Sequence, residues 1–240
     1  MKVWLFAASL LLASVAQAQD YEREQRWAAE VVPNLVVGDA VRISLPPRSF
    51  LAIHTEGKPG QPAILLVHGL GVHPDHGVIG ILRGLLADAG YTTLSIQMPV
   101  QGAQATADDY PVLFPEAAAR IQAAAGWLAA KGHARPVLLS HSMGSRMAMA
   151  YYERAAAAPF AAWISLGITA DYGVTTKVGA PILDVYGEND FPQVLRANPA
   201  RRMAVGAVAG SKQVVIAGAD HYYTGREKAL AAAIAAFLDR

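Results

Sequence analysis

The sequence predicts an α/β protein with a mostly parallel sheet of about eight strands and helices on both faces. Three observations carry that expectation. Short runs such as Ala63–Val67 ("AILLV") are apolar at every position, as strands covered on both faces are. Helical patterns alternate with these runs, which is the rhythm of βα repeats. Serines, histidines, aspartates and glycines cluster just after the runs, and parallel sheets bind ligands at the carboxyl ends of their strands.

The chain opens on a separate segment. Lys2 supplies one positive charge, residues 3–15 are largely apolar, and Ala16-Gln17-Ala18 offers an A-x-A cleavage pattern. Together these predict a secretory signal peptide over residues 1–18, and so an exported protein, periplasmic or secreted, whose mature chain starts near Gln19. The apolar run is shorter than the roughly 20 residues of a transmembrane helix, so no stable membrane anchor is expected after cleavage. Residues 19–240 read as one domain, because no internal repeat or Ser/Pro linker divides them.

Hydrophobic residues make up 53% of the chain and charged residues 16%, which suits a sizeable core. Without Lys2 the chain carries 19 basic and 19 acidic residues, so no positive field favours nucleic acid or anionic lipid. The absence of cysteine excludes disulfides and a lipid-modified cysteine anchor.

The elements follow in order. Residues 21–30 read as a short charged helix. Residues 41–45 and 50–54 alternate like an antiparallel pair, with Pro46-Pro47 at the turn. Ala63–Val67 is followed by "HGLG" and a helical pattern over 77–89; 91–97 is the next strand and 115–131 the next helix. Residues 136–139 form a strand that runs into "SHSMGS" and a helix. Strands at Ala162–Leu166, 182–186 and 214–216 precede an amphipathic helix over 226–238.

The chemistry concentrates at Ser140-His141-Ser142-Met143-Gly144. A sharp strand-to-helix turn strains its middle residue and needs small neighbours two positions away on each side. Ser140 and Gly144 are small, so Ser142 would stand exposed at a helix N-terminus, where negative charge is favoured. The simpler reading is that Ser142 only caps the helix. A serine nucleophile needs a base, and the base an orienting acid. Asp190, in "YGEND", and His221, in "GADH", each follow a later strand. They complete the order Ser, Asp, His. Asp171 is the alternative acid and Glu188 a candidate loop cap. His54, His133 and His141 read as packed or surface imidazoles. Oxyanion donors are expected from the backbone N–H groups of Met143 and of Leu70, in a loop braced by His68.

His73, Asp75 and His76 could be taken for metal ligands, but no further His or Cys cluster supports them. Neither a metal nor a cofactor is therefore expected. The loop over 73–76 and the irregular segment 100–114 are expected to form the site's rim. His73 is a candidate rim residue; Tyr110, Phe114 and Tyr222 are candidates for the rim and, with Tyr223, for lining an apolar acyl pocket, with ordinary core packing as the alternative for each aromatic side chain.

"LLVHGLG", "SHSMGS", "YGEND" and "GADH" together resemble the α/β-hydrolase superfamily, from residue 63 to the C-terminus. "HGLGVHPD", "TLSIQMPV" and "DYPVLFPEAAARI" resemble more narrowly a family of exported bacterial α/β-hydrolase-like proteins of unassigned function. The resemblance implies an α/β-hydrolase fold, with Ser142 as nucleophile, Asp190 as acid, His221 as base, and Leu70 with Met143 as oxyanion donors. Ser140 departs from the usual glycine. Only about a dozen residues, 168–180, separate two strands where many such hydrolases insert a helical cap, so none is expected. The implied activity is hydrolysis of small-molecule or lipid-like acyl esters. A non-catalytic protein binding a small ligand or an envelope partner is the alternative.

Overall fold

The structure, a computed structural model, describes residues 19–173 and 175–239; the expected signal peptide, residues 1–18, lies outside them. Eight strands form one sheet: β1 (Asp39–Leu45), β2 (Arg48–Thr55), β3 (Ala63–Val67), β4 (Thr92–Ile96), β5 (Val137–His141), β6 (Ala162–Leu166), β7 (Ile182–Gly187) and β8 (Lys212–Ile216). Their spatial order is β1-β2-β4-β3-β5-β6-β7-β8. β1 pairs antiparallel with β2, and β2 with β4; every pairing from β4 to β8 is parallel.

The pleat explains the unbroken apolar runs. Successive side chains point to opposite faces, and both faces are covered. On one face Leu65, Val67 and Leu138 meet α3 (Phe114–Ala130) and α4 (Met143–Arg154) through Ile121, Leu128 and Met147. On the other, Ile64, Leu66 and Leu139 meet α2 (Gly77–Asp88) and α7 (Glu227–Leu238) through Leu82, Leu86, Leu230 and Ile234. A strand such as β3 therefore has no position left for a polar residue.

α1 (Tyr21–Val31) matches the expected charged helix; the Asp20 carboxylate accepts the Arg23 N–H at 2.9 Å and caps it. Several elements were not assigned from sequence, the longest of them two helices. The segment 100–114 contains a 3-10 helix over Ala107–Leu113, whose Thr106 and Asp109 form a reciprocal cap. α6 (Pro192–Gly206) was hidden by its sequence, "PQVLRANPARRMAVG", in which Pro199 interrupts the pattern and Val194, Arg201 and Val205 are buried. Between β6 and β7 the described residues hold one short helix, α5 (Thr175–Val178), and no cap domain. No helix among the described residues is long and apolar enough to cross a membrane.

Candidate active site

The site sits where the carboxyl ends of β3, β5, β6 and β7 meet. β5 ends at His141 and α4 begins at Met143, leaving Ser142 alone to reverse the chain. Its backbone adopts φ 54° and ψ −119°, a region that non-glycine residues avoid because Cβ crowds the backbone. Packing enforces this conformation. A Cβ on Gly144 would lie 2.4 Å from the His68 carbonyl oxygen and 2.8 Å from that of Val67, so only glycine lets α4 press so closely on the end of β3. That contact brings Leu70 and Met143 to the lining of one cleft, beside Ser142. Met143 opens its helix, and an N–H there has no acceptor within the helix.

Ser142 Oγ lies 2.9 Å from His221 Nε2, and His221 Nδ1 lies 2.6 Å from Asp190 Oδ1. Asp190 can only accept when ionised, so Nδ1–H donates to it and the Nε2 lone pair faces the Ser142 hydroxyl. The Asp190 side chain is fully buried; it also accepts the N–H groups of Phe191 at 2.7 Å and Gly187 at 3.2 Å. Three donors thus satisfy a carboxylate withdrawn from water. The Phe191 ring stacks on His221 with centroids 4.0 Å apart, fixing the imidazole plane. Asp171 is exposed on the loop after β6, and Asp190 is the acid that meets the imidazole. Glu188 accepts the Gly218 N–H at 2.8 Å, tying the β7 loop to the β8 loop.

Two further residues at this site were not expected from sequence. A Cβ on Gly167, which directly follows β6 with φ 56°, would lie 3.1 Å from the His221 ring and 3.3 Å from Asp190 Oδ2. That glycine makes room for the pair. His141 donates from Nε2 to the His221 carbonyl at 3.0 Å and anchors the loop carrying that imidazole. Burial holds the His141 pKa down at about 4, so it stays neutral near pH 7. Its position inside the turn disguised this role.

His68 braces the neighbouring loop. Its Nδ1 donates to the Gly69 carbonyl at 2.9 Å, and its Nε2 accepts the Met98 N–H at 2.9 Å. Burial lowers its pKa to about 3, which keeps Nε2 free to accept. The cleft beside Ser142 has a volume of about 720 Å³, and the exposed side chains of Tyr222 and Phe191 help to line it.

Several expected rim residues are elsewhere. Tyr110 is buried in the core, and its hydroxyl accepts the Gln101 N–H at 3.3 Å. Phe114 starts α3 and packs on the core, and Tyr223 is buried with its hydroxyl donating to the Val185 carbonyl at 3.0 Å. His73 packs between Trp27 and His76. None of the four lines the cleft: Tyr110, Phe114 and Tyr223 are taken up by core packing, and His73 by its ring contacts with Trp27 and His76. His76 and Asp108 do line it, from the two segments expected to supply the rim. Asp75 pairs with Arg83 at 2.6 Å, and among the described residues no group of three or more His, Asp or Glu side chains is arranged to hold a metal ion.

No family model matches the chain, and neither does any curated protein. Solved structures do. Dienelactone hydrolase from Anabaena variabilis superposes with a TM-score of 0.66 at 21% identity, over 83% of this chain and 95% of that one. Est1E from Butyrivibrio proteoclasticus gives 0.64 at 18% identity, over 83% and 97%. The esterase domain of a Rhodothermus marinus protein gives 0.63 at 14% identity, over 83% and 96%. The fold is that of the α/β-hydrolase superfamily. These identities speak for the fold alone.

Within the α/β-hydrolase fold, the Ser140 position differs from the expectation that it is merely small. Its Oγ accepts the Trp163 indole N–H at 2.9 Å and lies 3.0 Å from Ser145 Oγ. Trp163 is fully buried, so the hydroxyl satisfies a donor that glycine would leave unpaired.

Proposed function

We propose that the protein is an exported serine hydrolase that cleaves carboxylic esters of small-molecule or lipid-like acyl groups. The observation that carries this reading is the continuous chain from Ser142 Oγ through His221 to buried Asp190, at 2.9 and 2.6 Å. Hydrolases and esterases among the structural neighbours are consistent with it. His221 Nε2 takes the Ser142 proton as Oγ attacks the acyl carbonyl, and Asp190 stabilises the imidazolium. The N–H groups of Leu70 and Met143 receive the oxyanion. As the tetrahedral intermediate collapses, His221 returns the proton to the leaving alcohol and an acyl-enzyme remains. Water, deprotonated by the same imidazole, then releases the acid and restores Ser142.

A fluorophosphonate probe and a p-nitrophenyl ester panel test this on the mature protein. Labelling and turnover are expected in the wild type. Labelling should vanish in Ser142→Ala, and turnover should fall by at least about 10³-fold in that variant and in His221→Ala. Folded wild-type protein that neither labels nor turns over any ester would overturn the reading in favour of a binding protein. Export is tested by N-terminal sequencing of the protein from the periplasm or medium: a chain starting at Gln19 is expected, and one retaining Met1 sinks it.

A further inference from the structure

Arg146 is a cation in the wall of the cleft with no assigned partner. It stands four residues after Ser142 on α4, one turn along the helix, and both side chains line the same cleft. Helical side chains lean toward the N-terminus, which for Arg146 is the Ser142 end. The other buried or half-buried arginines are occupied. Arg83 is paired with Asp75, Arg120 with Glu24 and Glu116, and Arg201 with Asp184, while Arg23 donates to the Gly71 and Gln101 carbonyls. Arg146 is half-buried, makes no ion pair among the described residues, and has its guanidinium carbon 5.8 Å from the Phe114 ring.

The rest of the lining does not neutralise it. Asp108 is the acidic side chain in the cleft; it is exposed on the 3-10 helix and beyond ion-pair distance of Arg146, so water screens it. His68 and His141, also in the wall, are neutral near pH 7 because burial holds their pKa values at about 3 and about 4. Leu70, Val72, Val78 and Ile79 make much of the remaining wall apolar. A guanidinium held partly out of water beside such a wall binds a planar carboxylate more strongly than it would at the surface.

We propose that Arg146 selects the substrate: the cleft takes esters that carry a free carboxylate near the scissile bond, with that carboxylate on the Arg146 guanidinium. This rests on the hydrolase reading and narrows its substrate class. The reaction is unchanged, with the acyl group passing from the alcohol to Ser142 Oγ and then to water; the carboxylate takes no part in bond making.

Two matched pairs test it and separate the acyl from the alcohol side. Monoethyl adipate is compared with ethyl hexanoate by ethanol release, and 3-carboxyphenyl butyrate with phenyl butyrate by phenol release. In one arm at least, the wild type should favour the anionic ester by about tenfold to a hundredfold in kcat/KM, the range of one charged hydrogen-bonded pair. Arg146→Gln should bring that ratio to about one, and Arg146→Lys should keep part of it. A wild-type ratio near one in both arms, or a ratio untouched by Arg146→Gln, overturns the proposal.

Binding separates this failure from that of the hydrolase reading. Calorimetry on Ser142→Ala needs no turnover. In at least one of the two matched pairs the anionic ester should bind it more tightly than its neutral counterpart, by a margin that shrinks with added salt and is lost in Ser142→Ala/Arg146→Gln. Equal affinities within both pairs sink the carboxylate subsite even if the wild type labels with fluorophosphonate. A margin lost with Arg146 sustains the subsite even if no ester is hydrolysed.

Discussion

Ser140 shows how much a single hydroxyl can hold. In Ser140→Ala the Trp163 N–H loses its acceptor while sealed from water, and an orphaned buried donor costs about 1–3 kcal/mol. Denaturant unfolding should show a loss of that size. The loss should shrink when Trp163 is already phenylalanine, since the donor is then gone. If Ser140→Ala costs the same in both backgrounds, the hydroxyl is not Trp163's support. Ser140→Gly restores the usual motif residue yet should be no more stable, because it removes the same acceptor and adds backbone freedom to the unfolded chain. Residues of this kind explain what the sequence left hidden. Ser142, Asp190 and His221 each follow their own strand in the expected order, so their positions were legible. His141, Gly167 and Trp163 act through contacts made only after distant strands meet, and no local pattern announces them.

Among the elements, α1 does more than cover the sheet. Arg23 donates to the Gly71 carbonyl at 3.0 Å and to the Gln101 carbonyl at 2.9 Å, so the helix clamps the loop that carries Leu70. Glu24 and Arg120 pin the same helix at 2.9 Å, and Asp20 N–H bonds the Val100 carbonyl at 2.8 Å. On the proposed reading the Leu70 N–H receives the oxyanion; such a donor is worth about 10²–10³ in rate, and loosening its loop should forfeit part of that. Arg23→Ala is therefore expected to lower kcat and the fluorophosphonate labelling rate about tenfold with a smaller change in KM. Arg23→Lys, with a single head group in place of the fork, should fall between. Unchanged labelling by a folded Arg23→Ala protein would show that the clamp does not position the oxyanion loop. The helix itself was legible from its charged pattern, and β3 was found to the residue because burial on both faces leaves an unmixed apolar run; β6, interrupted only by buried Ser165, was found to the residue as well. α6 was not, since few of its side chains reach the core and Pro199 breaks the periodicity.

At the scale of the whole molecule, stability is expected to depend on pH through histidines that the fold keeps neutral. Burial lowers the His68 pKa to about 3 and that of His141 to about 4, and it also lowers those of His54 and His73. In the unfolded chain each returns to the ordinary value of about 6.5. Below that value the unfolded state binds protons that the native state refuses, so stability is intact above about pH 6.5 and is lost as the pH falls toward the folded values. Each fully buried histidine loses about 1.4 kcal/mol per pH unit in that window. His68 and His141 together thus remove about 4 kcal/mol between pH 8 and pH 5, a large share of the 5–15 kcal/mol typical of a domain. Denaturant unfolding at the two pH values should show this drop. His141→Gln keeps a donor for the His221 carbonyl but cannot be protonated, so it should recover about 2 kcal/mol of the loss at pH 5. A pH dependence that is the same in wild type and His141→Gln would mean that the imidazole in the turn is charged in the folded protein, beside the base it is supposed to support.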